Sequence, residues 1–201
     1  MERACVLLRG ALKINHDKIM GTITTHKSWK LLTMFAYLFS TLRKTLKVPA
    51  ARTLFNTTNL RRKSRNKLLI KSGVMFTGQS TVTPPFFYEY GRITIGHGVY
   101  INTGCNFLDH AQISIGNDTL IGPNVTLTTA SHEVSPELRG SGVTQAPINI
   151  GDNVWLGAGV VVLPGVKIGN NSVIAANSVV LSDVPENVLY AGSPAVFKRN
   201  I

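Results

Sequence analysis

Residues 148–169 read INIGDNVWLGAGVVVLPGVKIG, and aliphatic side chains recur here and beyond at every sixth position. The unbroken series consists of Ile150, Leu156, Val162, Ile168, Ile174 and Val180. An amphipathic helix needs apolar residues three and four positions apart, and a half-buried strand needs strict alternation. Neither period explains the series. A step of six with glycine inside it predicts a short strand followed by a corner, repeated along the chain.

A looser series upstream extends this pattern. Ile95, Ile101, Phe107 and Ile113 keep the step of six, and the frame then moves by two residues to Ile115, Ile121 and Leu127. This slip predicts one irregular turn near His110–Ser114. We expect three strands per triangular coil, with aliphatic residues inside and Gly, Asn and Asp at the corners with positive φ. One coil cannot bury its own interior, so we expect about five stacked coils between Ile93 and Pro185.

The charge of the chain is unevenly distributed. Residues 1–72 carry 16 Lys and Arg against two acidic residues (+14), and residues 73–201 carry five against eight (−3). The basic part suggests an anionic neighbour, such as a membrane surface, a polyanionic acceptor or nucleic acid. A solvated basic helix is the alternative. The apolar stretch Trp29–Phe39 is too short to cross a ~30 Å hydrocarbon core, and no cleavage site follows it, so we predict a cytoplasmic protein.

The hexads stop after Leu127 and resume at Ile148, and the interruption contains His132. An excursion from a regular solenoid is usually functional or disordered. Histidine as a residue type suits proton abstraction from a hydroxyl near neutral pH. On composition alone, a surface loop histidine is the commoner interpretation. No metal-ligand spacing recurs in the chain, so we predict no metal site, and Cys105 is expected to fill the core.

Several longer stretches resemble the hexapeptide-repeat acyltransferases, most closely the maltose and galactoside O-acetyltransferases, over about residues 52–201. They are PPFFYEYG (84–91), ITIGHGVYIN (93–102), IGPNVTLTTASH (121–132), residues 148–169 and AGSPA (191–195). The resemblance implies a left-handed parallel β-helix, acetyl-CoA as co-substrate and a sugar or saccharide acceptor. It also implies a homotrimer with active sites between subunits and no nucleic-acid partner.

The resemblance assigns His132 as the catalytic base, since a matching T-x-x-H occurs at the family's break. Glu133 follows it here, where the family commonly has proline. The acceptor contacts implied by the resemblance are Glu89, Asn102, Asp109 and Trp155. Instead of contacting the acceptor, Asp109 could cap the irregular turn, and Trp155 could have a packing role alone. His110 is a further candidate for lining the acceptor pocket.

The implied contacts with CoA lie in the later coils and the tail. Ala158 and Ala176 correspond to backbone contacts, where small residues allow the pantetheine arm to approach closely. Lys198 and Arg199 offer positive charge to the phosphates.

The predicted organisation is an all-β main domain after a basic α-helical N-terminal region. The predicted segments are an extension over 1–51, a helical segment over 52–83, a β-helix over 84–190 with active-site loop 128–147, and a tail over 191–201. Apolar spacing from Trp29 to Leu42 predicts an amphipathic helix, which either rests on an anionic membrane or packs on its own trimer.

The predicted function is acetyl-CoA-dependent O-acetylation by direct transfer. The alternatives are an amino-sugar or xenobiotic acceptor, and a non-catalytic β-helix scaffold.

Overall fold

The computed structural model describes residues 32–201, which fall into two units divided after Arg43, residues 32–43 and 44–201. The predictions for residues 1–31, including Trp29, lie outside the described part. In the first unit residues 32–41 are helical (α1). The second unit contains α2 (Val48–Thr57) and α3 (Arg62–Lys71) and then the strands. The strands are β1 (Met75–Phe76), β2 (Thr81–Val82), β3 (Phe86–Tyr88), β4 (Ile93–Ile95), β5 (Tyr100–Ile101), β6 (Cys105–Leu108), β7 (Ile113–Ile115), β8 (Leu120–Ile121), β9 (Thr126–Thr128), β10 (Ala130–Ser131), β11 (Thr144–Gln145), β12 (Ile148–Ile150), β13 (Trp155–Leu156), β14 (Val161–Val162), β15 (Lys167–Ile168), β16 (Val173–Ile174), β17 (Val179–Val180), β18 (Val188–Ala191) and β19 (Val196–Asn200).

All the strands except β10 and β11, which pair with each other, form three sheets around a three-sided solenoid. Their orders are β1-β4-β7-β12-β15, then β2-β5-β8-β13-β16-β18-β19, and β3-β6-β9-β14-β17. Successive strands along the chain join different sheets, and strands within a sheet pair in parallel except for the final β18–β19 pair. The predicted parallel β-helix is therefore confirmed, and its left hand stays a prediction. The first coil begins at Met75, before the expected start at Ile93 and the predicted boundary at Pro84. Its residues Phe76, Val82 and Tyr88 also keep the step of six, and they pair with Ile95, Ile101 and Phe107.

The register confirms the stacking expected from the hexads. Ile150 pairs with Ile168, which is the predicted offset of eighteen residues. Ile95 pairs with Ile115, an offset of twenty, because two extra residues lie in the turn between β6 and β7. The predicted irregular turn near His110 is thus present.

The inward aliphatic residues form the core. Ile101, Phe107 and Leu127 have 0% exposure. Cys105 is also buried, and burial raises the pKa of its thiol to about 11, so the thiol stays neutral at physiological pH. The corner residues with positive φ are Asp118, Asn124, Asn153, Asn171, Asn177 and Asn187. The expectation that Asn and Asp supply this conformation at the corners is met there.

Two helices, α2 and α3, occupy most of the first part of the helical segment predicted over 52–83, and strands β1 and β2 lie in its second part. The break at residues 58–61 falls on the sequence TNLR, where the β-branched threonine and the asparagine disfavour helix. Phe55 of α2 meets Phe86 of β3 edge-on, with ring centroids 6.3 Å apart. The unit boundary after Arg43 lies earlier than the predicted one after Ala51, because α2 belongs with the β-helix. No helix within residues 32–201 is long and apolar enough to cross a membrane.

Candidate active site

The loop that interrupts the hexads is a hairpin with a tightly held base. Its arms are β10 and β11, which pair antiparallel. The Thr129 hydroxyl donates to the Leu108 carbonyl oxygen at 2.8 Å and accepts from the Ala111 N–H at 2.8 Å. The Ala146 N–H donates to the Thr129 carbonyl oxygen at 3.0 Å, which closes the base. His132 directly follows β10. Although His132 belongs to the loop that leaves the β-helix, its side chain is therefore held close to the coil.

The imidazole of His132 makes one hydrogen bond that decides its tautomer. Its Nδ1 lies 3.2 Å from the carbonyl oxygen of Gly142, across the hairpin. A carbonyl oxygen only accepts, so in the neutral ring Nδ1 carries the hydrogen and Nε2 keeps its lone pair. The ring is exposed in the single chain, so Nε2 can reach a substrate hydroxyl.

A groove of about 740 Å³ runs along the outer face of the second sheet. Side chains paired in register form its wall: Tyr100, Leu120, Trp155, Val173 and Leu189. The groove brings together five of the predicted site residues, namely Asn102, Trp155, Ala158, Ala176 and Arg199. Substrate and CoA contacts assigned from separate motifs therefore share one surface.

Small residues shape the floor of this groove. A Cβ on Gly122 would lie 2.8 Å from the Ala158 nitrogen, and one on Gly157 would lie 2.5 Å from the Ala176 nitrogen. Larger residues at these glycines would push the coils apart. Because the alanines are exposed and have short side chains, a ligand in the groove can approach the backbone of both.

The tail reaches the groove through β19. This strand pairs antiparallel with β18 and sets Arg199 opposite Leu189. Arg199 lines the groove, whereas the adjacent Lys198 is exposed outside its lining. Trp155 is 55% exposed at the opening of the groove.

Glu89 and His110 form a second cluster, at the corner that follows the third sheet. The Oε2 atom of Glu89 lies 2.9 Å from Nε2 of His110, and both side chains are about one-quarter exposed. The His110 ring meets the Tyr90 ring edge-on, with centroids 4.9 Å apart. The two residues are twenty-one positions apart, and the pairing of Tyr88 with Phe107 brings them together. No local sequence signal marks this pair.

Asp109 lies beneath that cluster with 0% exposure. Its carboxylate accepts from three backbone N–H groups, those of Glu89 at 2.6 Å, Tyr90 at 3.1 Å and Arg92 at 2.7 Å. The carboxylate therefore caps a turn, because its oxygens face backbone donors, but the turn is residues 89–92 of the preceding coil and not the irregular turn near His110–Ser114. The described residues contain no group of three or more His, Cys, Asp or Glu that could hold a metal ion.

Comparison with known proteins gives consistent results. Residues 147–182 match the family model described as bacterial transferase hexapeptide (six repeats). The galactoside O-acetyltransferase of Lactococcus lactis subsp. lactis (strain IL1403) is 42% identical over 151 residues, 73% of either chain. The galactoside O-acetyltransferase of Escherichia coli (strain K12) is 42% identical over 150 residues, which are 73% of this chain and 74% of that protein.

Solved structures agree with these relatives. A galactoside acetyltransferase in complex with coenzyme A superimposes with a TM-score of 0.73 at 39% identity, over 76% of this chain and 78% of that chain. A hexapeptide-repeat acetyltransferase of Vibrio cholerae O1 biovar eltor, complexed with acetyl-CoA, gives 0.71 at 40% identity, over 75% and 82%. Repeats, fold and identity over most of the relatives' length agree, and the chain belongs to the hexapeptide-repeat acyltransferase family, as an acetyltransferase.

Proposed function

We propose that this protein transfers an acetyl group from acetyl-CoA to a hydroxyl of a sugar or saccharide. The relatives are named galactoside O-acetyltransferases, and two of the similar structures hold coenzyme A or acetyl-CoA. The observation that carries the proposal is the His132–Gly142 hydrogen bond, which leaves Nε2 as a free base beside the coil. Acetyl transfer needs such a base, a donor for the oxyanion, and placement of two substrates.

The mechanism is direct transfer. Nε2 of His132 takes the proton from the acceptor hydroxyl while the hydroxyl oxygen attacks the thioester carbonyl carbon. A backbone N–H stabilises the oxyanion of the tetrahedral intermediate. The intermediate then collapses with cleavage of the C–S bond, and the imidazolium returns its proton to the leaving thiolate. CoA leaves as the thiol, and His132 returns to its neutral form.

Acetyl-CoA is expected to lie in the groove of the second sheet. Ala158 and Ala176 let the pantetheine arm approach the backbone, and Arg199 offers a guanidinium to the phosphates. Lys198 supplies a further charge from the same strand. The 55% exposure of Trp155 leaves its ring free to contact either substrate.

The acceptor contacts in this proposal are Glu89, Asn102 and Trp155. Carboxylate and amide oxygens accept hydrogen bonds from sugar hydroxyls, and an indole ring covers an apolar sugar face. Asp109 contributes from below by holding the backbone of Glu89. His110 is paired with that carboxylate and borders the same corner.

A homotrimer is part of the proposal. Tyr100, Leu120 and Trp155 are 41%, 49% and 55% exposed in a single chain, an apolar ladder that a neighbouring copy would cover. A second copy along the groove would also complete an enclosed site. Analytical ultracentrifugation measures this state directly.

Mass spectrometry of saccharides tests the proposed function. The protein is incubated with acetyl-CoA and a panel of mono- and oligosaccharides that includes amino sugars. The expected product carries one ester-linked acetyl group, released by mild base, with stoichiometric free thiol. Amide-linked product alone would identify the amino-sugar alternative, and absence of any transfer across the panel would reject the sugar proposal.

Ala176→Leu is expected to raise KM for acetyl-CoA by about tenfold or more, because extra methyl groups in the pantetheine path cost roughly 1–3 kcal/mol. The side chain is exposed, so the variant should keep the melting temperature of the parent. Ala50→Leu is the matched control, since Ala50 is exposed on α2 outside the groove. An unchanged KM in Ala176→Leu would place acetyl-CoA elsewhere.

A further inference from the structure

The end of the β-helix where the chain enters it carries a dense positive charge. Residues 44–72 contain nine Lys and Arg and no Asp or Glu, and no acidic residue occurs between Asp17 and Glu89. Six of these cations are exposed. Arg62 donates to the side chains of Gln79 and Thr81, and we call the other five the basic end face: Lys44, Lys47, Arg61, Lys63 and Lys67. None of the five pairs with a carboxylate within residues 32–201. Within the described part of the chain, this charge therefore faces solvent without a carboxylate partner.

Two helices, α2 and α3, and the segment 44–47 before α2 form this face. Strands β1, β2 and β3 are edge strands of their sheets, and α2 and α3 contact them and so cover that end. In α3, Leu68 and Leu69 are buried against the coil, and Lys63, Lys67 and Ile70 lie on the opposite side. The Leu46 N–H donates to the Lys71 carbonyl oxygen at 2.8 Å. This bond holds Lys44 and Lys47 beside the end of α3.

The positive charges on α3 destabilise the helix itself. The helix has no acidic residue in its first turn, and Arg61, Arg62 and Lys63 stand at its positive end. Lys63 and Lys67 are like charges four residues apart, which is also unfavourable. The first-turn positions carry little packing, so acidic residues would fit there equally well. An anion bound to this face would offset both repulsions.

The opposite end of the β-helix carries charges of both signs. Asp152, Asp183 and Glu186 border a groove of about 660 Å³ together with Lys167, and the last strand carries Lys198 and Arg199. Residues 73–201 are net negative while residues 44–72 are net positive. A molecule polarised along its axis in this way approaches a negative surface with one end first.

We propose that the basic end face docks onto an anionic lipid bilayer. Ile70 is 52% exposed among the lysines of α3, so the face combines cations with apolar surface. In the other unit, α1 exposes Leu32, Phe35 and Phe39, at 67%, 63% and 70%, and Leu42, directly after α1, is 83% exposed. Helices that bind the membrane interface combine these two features, whereas nucleic-acid phosphates require only the cations. The docking is independent of the acetyl transfer proposed above.

Vesicle flotation with the full chain tests the docking. Vesicles of phosphatidylcholine, with and without phosphatidylglycerol, are compared for the parent chain and for Lys63→Glu/Lys67→Glu. The parent should float with the anionic vesicles alone, and added salt should weaken binding. The double variant should bind them at least about tenfold more weakly, since each cation near the surface contributes. Arg139→Glu/Lys167→Glu is the matched control, with the same change in net charge at exposed positions outside the face.

The outcomes separate docking from general electrostatics and from misfolding. A glutamate at position 63 is favourable at the start of a helix, so the double variant should keep the melting temperature of the parent. If its melting temperature falls, the flotation test is repeated with Lys63→Gln/Lys67→Gln. Equal flotation with neutral and anionic vesicles would overturn the proposal, as would an equal loss in the control variant. Retention on duplex DNA without flotation would also overturn it.

Discussion

Replacing His132 by alanine is expected to lower kcat for acetyl transfer by about 10²–10⁴-fold, the usual contribution of a positioned general base. The imidazole is held through Nδ1 by the Gly142 carbonyl, so Nε2 is the atom whose loss removes proton abstraction. The side chain is exposed and lies on a hairpin, so its removal should leave the coils and the groove intact. The measurement is the initial rate of thiol release at saturating acetyl-CoA, together with the affinity for CoA.

His97→Ala is the matched control for this variant. His97 is exposed at a corner of the second coil, and no role in transfer is assigned to it. It should keep the rate of the parent. A rate unchanged in His132→Ala would reject His132 as the base. A parallel loss of CoA affinity and melting temperature would instead give His132 a structural role.

The hexads predicted the stacking well because the interior of a narrow solenoid admits few side chains. Ile150 must meet Ile168, and any slip would place a corner residue in the core. The loop around His132 could be predicted for the same reason, because the hexad period is strict enough for its interruption to be recognised in the sequence. The shift of two residues before Ile115 likewise predicted the irregular turn that the structure contains.

Other features depend on contacts that no local pattern encodes. The Glu89–His110 pair arises from a register between successive coils. The role of Asp109 depends on which backbone groups surround it, and acceptor contact and turn cap look alike in the sequence.

Asp109→Ala should lower the free energy of unfolding by about 3–5 kcal/mol, because three part-buried N–H groups would lose the acceptor supplied by a fully buried carboxylate. The measurement is urea unfolding, in which the midpoint should fall while the slope stays constant. Asp183→Ala is the matched control. Among residues 32–201, its exposed carboxylate accepts from one N–H group, that of Lys167 at 2.8 Å, and its loss should cost under about 1.5 kcal/mol.

The comparison of these two variants decides what Asp109 does. A carboxylate that caps the turn holds the backbone of Glu89, so its loss should destabilise the fold and also raise KM for the acceptor by moving Glu89. A carboxylate that contacts the acceptor directly would raise that KM at unchanged stability. Asp109→Asn separates the two further, because an amide oxygen can still accept some of the N–H bonds while its NH2 group faces donors. A stability between those of the parent and Asp109→Ala is therefore expected, and parent-like stability in all Asp109 variants would contradict the cap.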